Sequence, residues 1–298
     1  MERPQVQIKS LSECTFNETL ELWNNGFQGY YSDMTQSMPG IISHLGNASI
    51  HPGLSVAAFV EGKPAGFVLT GIKEVNGIKT AWNGGTGVSP EFRGMGIAKA
   101  LMKEMVHKLR EEGAHIATLE VVSKNVGAIA AYESGGFESV DGLTGMRHEG
   151  AFAEVPFRRK SSTPYSYHTG KPNEVSGLSF YRDKAAWMTQ WFNWNGGESI
   201  LVYDSKGEAA AYVLLRRSYN DDGSVSSITI SHCEANPQRE DADEVVRFAL
   251  ARAFEPFNLS FVRATDNLSL SSTFAVEALV EAGFTQVYEQ KLMMIDLA

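Results

Sequence analysis

The clearest pattern of hydrophobic and polar positions lies in the first half of the chain. Apolar residues recur at every fourth position there, at Ile97, Leu101, Met105 and Leu109, while lysine, glutamate, histidine and arginine fill the other side. This period predicts an amphipathic helix with one face in a hydrophobic core. Gly113 follows at the position where a helix often ends in a left-handed cap.

Short apolar or alternating runs surround this helix. The runs 54–60, 66–73 and 78–82 are separated by turn-forming residues and predict an antiparallel meander. The run 115–122 after the helix predicts a further strand, which a strand-helix-strand connection places parallel to the strand before the helix. Residues 125–134 predict a second, shorter helix.

The turn into the long helix has an unusual composition. Its sequence is Arg93-Gly94-Met95-Gly96-Ile97-Ala98. Two glycines remove Cβ atoms at the first turn, so backbone N–H groups without intrahelical partners stand open at the positive end of the helix dipole. Such an end binds phosphate or pyrophosphate. The spacing fits neither the dinucleotide fingerprint G-x-G-x-x-G nor a P-loop, which needs Lys-Ser/Thr after its last glycine.

Two motifs carry a family resemblance. The run R-x-x-G-x-A, which starts at Arg93 shortly after Val88, resembles the coenzyme A motif of the GCN5-related N-acetyltransferase (GNAT) family. The run N-x-x-A-x-x-x-Y-x-x-x-G-F resembles a second motif of the same family, and contains Asn125, Ala128 and Tyr132. These three residues fall at i, i+3 and i+7, hence on one helix face.

The resemblance implies an acetyltransferase that uses acetyl-coenzyme A (acetyl-CoA). It implies an α/β (α+β) fold, in which a mixed, mostly antiparallel twisted sheet is flanked by helices. Tyr132 would then be the general acid, and the chain leading into Val88 would offer an N–H group to the thioester carbonyl. The coenzyme-binding residues implied are Val88, Arg93, Gly94, Met95, Gly96, Ile97, Ala98, Asn125 and Ala128.

The general base is left open by the sequence. Glu120 lies on the strand after the long helix and is the leading candidate, although strand alternation could point it to the wrong face. A solvent-exposed amine could also lose its proton to water. Other residues that could serve are Asp33, His44, His51 and Glu74. The seven histidines form no H-x-x-x-H pair or cluster with carboxylates, so we expect no metal site.

The second half of the chain repeats the order of these parts. Strand-like runs at 199–203, 209–215 and 225–231 are followed by a helix at 235–254, a strand at 259–264 and a helix at 271–283. Phe284 follows Phe137 by 147 residues, and Pro237 follows Pro90 by the same 147. This offset predicts a second GNAT-type domain.

The second copy lacks the residues of both motifs. At this offset Tyr132 is replaced by Leu279 and Asn125 by Ser272. The glycine turn is replaced by the acidic run Glu240, Asp241, Asp243 and Glu244. Carboxylates repel a pyrophosphate. We therefore predict that the second copy is degenerate and binds no coenzyme A. The predicted division is a catalytic domain at 1–155, a linker at 156–172 and a degenerate domain at 173–298.

Composition limits the classes of function. The 298 residues are 43% apolar and 20% charged, and are therefore typical of a folded globular protein. A formal net charge of −9 argues against nucleic-acid or anionic-membrane partners and is compatible with a cationic amine substrate. Cys14 and Cys233 are isolated, and the N-terminus has no apolar leader, so we expect a cytoplasmic protein. Monomer and homodimer both remain open.

Three local features have two interpretations each. The aromatics Phe27, Tyr30 and Tyr31 could line a substrate cleft or pack the edge of the core. The glycine-rich run 83–87 could be a β-bulge that approaches the thioester or a weak strand end. Trp191, Phe192 and Trp194 favour ordinary core packing over a role in a cavity.

The leading functional hypothesis is an acetyl-CoA-dependent N-acetyltransferase that acts on the amine of a small molecule or an amino-acid-like substrate. The first alternative is a coenzyme A-binding sensor or interaction protein without activity. The second is an acyltransferase that uses a longer acyl chain or a hydroxyl acceptor.

Overall fold

The structure is a computed structural model that describes residues 5–75 and 77–298. The chain forms two compact units: the first runs to Val140 and includes Met293–Ala298, and the second is Asp141–Leu292. The elements of the first unit are β1 (Val6–Ser10), α1 (Phe16–Gly26), α2 (Met38–Asn47), β2 (Val56–Val60), β3 (Lys63–Val75), β4 (Ile78–Val88), α3 (Ile97–Glu111), β5 (Ile116–Val122) and α4 (Val126–Ser134).

The sheet of the first unit has the order β1-β2-β3-β4-β5. Its strands are antiparallel except for β4 and β5, which run parallel, as predicted for strands connected through a helix. The parallel pairing extends only from Thr80↔Ile116 to Trp82↔Thr118. Beyond Trp82 the two strands no longer pair, which leaves an opening in the sheet.

Both faces of this sheet are buried, because successive strand residues alternate between them. Val56, Ala58 and Val68 pack with the apolar side of α3 on one face. Ala57 and Phe67 pack on the other face with residues of α1 and α2. Helix α1 begins where the Thr15 hydroxyl accepts a hydrogen bond from the Glu18 N–H and the Glu18 carboxylate bonds back to the Thr15 N–H.

The second unit repeats this order of elements. After β6 (Glu138–Glu149), which starts before the boundary between the units, come β7 (Ser166–Gly170), β8 (Glu198–Tyr203), β9 (Ala209–Tyr219), β10 (Val225–Ala235), α5 (Ala242–Phe254), β11 (Val262–Thr265), β12 (Leu268–Ser269), α6 (Thr273–Glu281) and β13 (Thr285–Asp296). Strands β8, β9 and β10 form the meander, and β11 runs parallel to β10. Each unit therefore has a mixed, mostly antiparallel sheet flanked by helices, as the sequence predicts.

The second compact unit begins at Asp141 and ends at Leu292, whereas the expected boundaries were 155/156 and 172/173. Residues 141–149 of β6 belong to the second unit because they pair with β11 and β12. The segment expected as a linker holds strand β7, which pairs with β8 from Ser166↔Tyr203 to Gly170↔Ser199. The chain end from Met293 belongs to the first unit, where the Leu297 N–H donates to the His115 carbonyl.

One further expectation differs from the structure and another agrees with it. The predicted helix at 235–254 begins only at Ala242, because β10 continues to Ala235, which pairs with Ala211. Trp194 is buried in a cluster with Val175 and Tyr212, in agreement with the core interpretation. Among the described residues, no helix combines the length and apolar character needed to cross a membrane.

Candidate functional site

A β-bulge lies in β4 just beyond its last pair with β5. Leu69 pairs with Gly85 and Thr70 pairs with Asn83, so Gly84 is the extra residue. The Asn83 side-chain oxygen accepts a hydrogen bond of 3.1 Å from the Gly85 N–H and holds the bulge in shape. The glycine-rich run is therefore a bulge rather than a weak strand end.

Beyond the bulge, β4 approaches the end of α1 closely. A Cβ atom on Gly87 would lie 2.6 Å from the Phe67 ring and 3.0 Å from the Gly26 Cα atom. Only glycine fits at both contact positions, since a Cβ on Gly26 would lie 2.7 Å from the same ring. The glycines thus bring the α1 end and the β4 end to one place.

A cavity of about 400 Å³ lies at this place. It is bounded by the end of α1 and the loop after it, the end of β4, the start of α3 and one face of α4. The lining residues are Gly26, Phe27, Gly29, Tyr30, Tyr31, Thr86, Gly87, Val88, Arg93, Ala98, Met102, Asn125, Gly127, Ala128, Ala131 and Tyr132. The two sequence motifs, about thirty residues apart, therefore meet in one cavity.

The glycine turn leaves the N-terminus of α3 open. Gly94 and Gly96 have φ angles of 81° and 78°, in the left-handed region, and no atom lies within 4 Å of where their Cβ atoms would stand. Gly96 is the N-cap residue, and no side chain caps the helix. Ile97 points into the core, whereas Met95 is exposed. Their side chains do not line the cavity, so their role at the site would be through their backbone N–H groups.

Arg93 provides a positive charge at the mouth of the cavity. Its Nε donates to the Val88 carbonyl at 3.0 Å, and its Nη2 donates to the Gln28 carbonyl at 2.7 Å. The guanidinium bonds only neutral carbonyls in these contacts and remains exposed. An open helix N-terminus beside an arginine suits a diphosphate.

Asn125 begins α4 and fixes its position. Its side-chain oxygen accepts a hydrogen bond of 3.3 Å from the Ala128 N–H, as an N-cap does. Ala128 and Tyr132 then follow on the same face and line the cavity. The small side chains on this wall, Gly127, Ala128 and Ala131, leave room for an extended ligand.

Tyr132 is the titratable side chain that α4 contributes to the cavity. It is 8% exposed, and its ring packs near Phe137 at 6.4 Å between centroids. Burial raises the pKa of its phenol to about 12, while the neighbouring Thr86 hydroxyl acts in the opposite direction. The phenol therefore stays protonated at neutral pH and can donate a proton.

Glu120 does not line this cavity. Leu119 and Val121 point into the core beside α3, so alternation along β5 directs Glu120 to the opposite sheet face. There its carboxylate accepts a hydrogen bond of 2.6 Å from the Trp82 indole N–H. Glu120 is two residues beyond the last β4–β5 pair and thus borders the same opening in the sheet.

The lining residues outside the two motifs are of two kinds, aromatics that the sequence suggested and residues that it did not single out. Phe27, Tyr30 and Tyr31 line the cavity, which supports the cleft interpretation, and neighbouring rings in this series lie 5.3 Å apart edge to face. Thr86 and Met102 carried no signal in the sequence, because a strand threonine and a helix methionine usually belong to ordinary packing. Within residues 5–75 and 77–298, no group of three His, Cys, Asp or Glu side chains could hold a metal ion.

The corresponding place in the second unit is filled by its own side chains. At the 147-residue offset Gly87 corresponds to Glu234, whose carboxylate is bound by Arg182 at 2.7 Å and by the Ser272 hydroxyl. Asp241 corresponds to Gly94, and it is bound by both Arg239 Nε and Arg239 Nη2, at 2.7 and 2.8 Å. The Arg239 guanidinium lowers the pKa of this carboxyl, so it is ionised at neutral pH.

The start of α5 is also covered by the segment 160–165 of the same chain. The Glu244 carboxylate accepts hydrogen bonds from the backbone N–H groups of Lys160 and Ser161, at 2.8 and 3.1 Å. The Tyr165 hydroxyl donates to Asp241 at 2.7 Å. A negatively charged helix start with these intramolecular partners contrasts with the open start of α3.

Comparison with known proteins agrees with this arrangement. The sequence model of the "Acetyltransferase (GNAT) family" matches residues 16–137. An acetyltransferase of Pectobacterium atrosepticum is 37% identical over 140 residues, which cover 47% of this chain and 92% of the relative. Other curated relatives are matched over a smaller part: the chain spans 39% of one and 49% of another.

Solved structures share the fold over nearly the whole chain. A GCN5-related glucosamine N-acetyltransferase region of a fungal multi-domain GH3 β-N-acetylglucosaminidase has a TM-score of 0.67 at 16% identity, covering 99% of this chain and 38% of that one. A tandem GNAT protein from the clavulanic acid biosynthesis pathway has a TM-score of 0.56 at 14% identity, covering 99% of both chains. Identities this low show the fold alone. The sequence matches establish that this chain belongs to the GNAT family of acetyltransferases.

Proposed function

We propose that this protein is an acetyl-CoA-dependent N-acetyltransferase for the amine of a small molecule or an amino-acid-like substrate. The observation that carries the proposal is the single cavity in which Arg93 and Ala98 of one motif meet Asn125 and Tyr132 of the other. Its shape and chemistry suit a long ligand with a diphosphate at one end and a reacting thioester at the other.

The residues at the start of α3 would hold the diphosphate. The backbone N–H groups from Gly94 to Ala98 have no side-chain cap, and Arg93 adds a full positive charge beside them. The small residues Ala98 and Ala128 leave a passage from there to Tyr132. Bound acetyl-CoA would supply the acetyl group, carried on a thiol that leaves when the amine attacks.

The end of β4 would stabilise the charge that develops on the carbonyl oxygen. From Asn83 onward this strand has no pairing partner on β5. The bulge directs the following backbone towards the cavity, where Gly87 and Val88 form part of the wall. Backbone N–H groups fixed in this way are suited to an oxyanion because they need no reorganisation during the reaction.

Tyr132 would protonate the departing sulfur. The phenol is neutral at physiological pH, and burial, which raises its pKa to about 12, favours this form further. It also lies on the cavity wall, two turns after the helix cap at Asn125. A neutral acid in a buried site can hold its proton until negative charge forms on the leaving sulfur.

Glu120 is our proposal for the general base. Its carboxylate is oriented by the Trp82 indole and borders the opening between β4 and β5, on the sheet face that carries α1 and α2. From this face it would take the proton of the incoming amine directly or through one water molecule. The net charge of −9 favours a cationic acceptor.

Glu120→Gln should lower kcat/KM about 100-fold at pH 7.5, within the usual range for general base catalysis. The remaining rate should rise with pH, because a larger fraction of the amine is then already neutral. The measurement is the rate of thiol release from acetyl-CoA with the same acceptor between pH 6.5 and 9.5. Glu138→Gln, which changes an exposed carboxylate at the start of β6, is the matched control. Equal activity of Glu120→Gln and the wild type would remove Glu120 from the mechanism.

The proposed function itself is tested by thiol release from acetyl-CoA in the presence of an amine panel. Amino acids, polyamines, amino sugars and aminoglycosides should be included, and acetylated products should be identified by mass spectrometry. We expect at least one amine to give acetylated product in equal amount to the thiol released. Tight binding of coenzyme A with no acetylated product from any of these amines would contradict the proposed acetyltransferase activity and favour the alternative of a coenzyme A-binding sensor.

A further inference from the structure

A buried polar pair on either side of the β4 bulge has no part in the catalytic roles proposed so far. Asn83 is 5% exposed and Thr86 is partly buried. The Asn83 Nδ2 donates to Thr86 Oγ1 at 2.9 Å and lies 3.4 Å from Met102 Sδ. Burial of an amide is costly unless its groups are hydrogen bonded. Ala81 and Val88, which are β4 residues on the same face, are both apolar.

The hydrogen-bond pattern fixes which way the amide points. Asn83 Oδ1 accepts from the Gly85 N–H at 3.1 Å, and a backbone N–H can only donate. Nδ2 therefore points to Thr86 and donates to its Oγ1 at 2.9 Å, while the Thr86 hydroxyl donates to Asn83 Oδ1 at 3.1 Å. Because Oδ1 also accepts from the Gly85 N–H, the Thr86 hydroxyl can turn from Oδ1 to a third group that accepts more strongly, without leaving Oδ1 unbonded.

The third group that the geometry offers is the Tyr132 phenol. Thr86 and Tyr132 line the same cavity, from β4 and α4 respectively. The Thr86 hydroxyl also lowers the pKa of this phenol against the larger effect of burial, as expected for a donor that stabilises the phenolate form. A buried phenol without such a donor would be a weaker acid.

We infer that Thr86, held by Asn83 in the bulge, is a positioning residue that donates a hydrogen bond to the Tyr132 oxygen during proton transfer. The inference rests on the proposed function. In this step the Tyr132 O–H bond breaks, a bond forms between that proton and the departing sulfur, and the phenolate oxygen accepts the Thr86 hydroxyl. Solvent later returns a proton to the phenolate. The bulge thus has two tasks: it shapes the backbone and it supplies this donor.

The test compares Thr86→Val with Thr86→Ser, using acetyl-CoA and the best acceptor of the amine panel. Valine keeps the shape of threonine and removes the hydroxyl, whereas serine keeps the hydroxyl. We expect valine to lower kcat about tenfold, with the KM for acetyl-CoA unchanged, and serine to restore kcat to within about twofold. Thr80→Val is the matched control, since Thr80 lies on the same strand in the part that pairs with Lys73 and Ile116.

A second comparison shows whether Thr86 acts through Tyr132. In the Tyr132→Phe background the hydroxyl has no phenol to assist, so adding Thr86→Val should change the remaining rate less than twofold. Calorimetric titration with coenzyme A checks that each variant still binds the donor. If the wild type is active and Thr86→Val keeps full kcat, or lowers it equally in both backgrounds, this inference fails while the proposed function stands. A wild type without any acyl transfer would overturn both.

Discussion

Aspartate in place of Gly96 should weaken the binding of acetyl-CoA at least 100-fold. Gly96 is the open N-cap of α3, and no atom lies within 4 Å of where a Cβ atom would stand, so the new carboxylate would occupy the place where the diphosphate is held. Two like charges about 4 Å apart repel by about 4 kcal/mol at the effective dielectric of a protein surface. The second copy carries an acid, Asp243, at the corresponding position. The dissociation constant is measured by calorimetric titration with coenzyme A.

Two control variants separate charge from conformation. Gly96→Asn has nearly the same size, accepts the left-handed conformation and carries no charge, so it should bind coenzyme A within about tenfold of the wild type. Gly113→Asp introduces the same charge beyond the other end of α3. It also places a non-glycine residue in a similar left-handed conformation, since φ is 73° at Gly113. It should bind like the wild type. Wild-type affinity in Gly96→Asp would show that the diphosphate does not lie at the start of α3.

Phenylalanine in place of Tyr132 should lower kcat by between 100-fold and 10,000-fold, the usual range for loss of a general acid. The KM for acetyl-CoA should stay close to the wild-type value, because the aromatic ring remains on the cavity wall beside Phe137. Initial rates of thiol release measure both constants. A variant with wild-type kcat would show that the leaving thiol needs no proton from Tyr132.

The same variant reports on the pKa of Tyr132 through stability. The folded-state pKa of about 12 lies above the unfolded value of about 10, so the neutral phenol favours the folded state. This contribution is complete below pH 10 and is lost as the pH rises towards 12. Between pH 9 and pH 11 the wild type should therefore lose about 1.4 kcal/mol more unfolding free energy than Tyr132→Phe. Urea unfolding of both proteins at the two pH values measures the difference, in which the other tyrosines cancel.

Local patterns predicted the elements around the site well. The apolar residues at every fourth position from Ile97 to Leu109 form the buried side of α3. Gly94 and Gly96 are the residues with left-handed conformation before it. The helix-face spacing of Asn125 and Tyr132 placed both on the cavity wall. These features depend on short stretches of chain, in which periodicity and glycine positions determine the conformation.

Contacts between distant segments were not predictable in the same way. The boundaries of the units depend on β6 pairing with β11 and on the chain end from Met293 joining the first unit, and no local pattern encodes such pairings. The sequence left open which sheet face Glu120 occupies, because strand alternation alone does not assign the faces; the Trp82 contact shows where its carboxylate lies, and its role as a base stays a prediction. Thr86 became visible only when the bulge placed it beside α4.

The second unit has one feature that the sequence predicted and one that it could not predict. Its acidic run at 240–244 could be read from the sequence as unsuited to a diphosphate. The Arg182–Glu234 ion pair could not, since Arg182 lies in a segment without regular strand or helix structure and 52 residues away from its partner. Both features favour a second unit that supports the fold without binding the donor.

The central claim is one acetyl-CoA site per chain, at the start of α3. Calorimetric titration of the wild type with coenzyme A measures the number of sites directly. We predict one coenzyme A bound per chain, and an affinity at least 100-fold lower when Gly96 is replaced by aspartate. Two coenzyme A molecules per wild-type chain, or one that remains bound with unchanged affinity in Gly96→Asp, would contradict the claim.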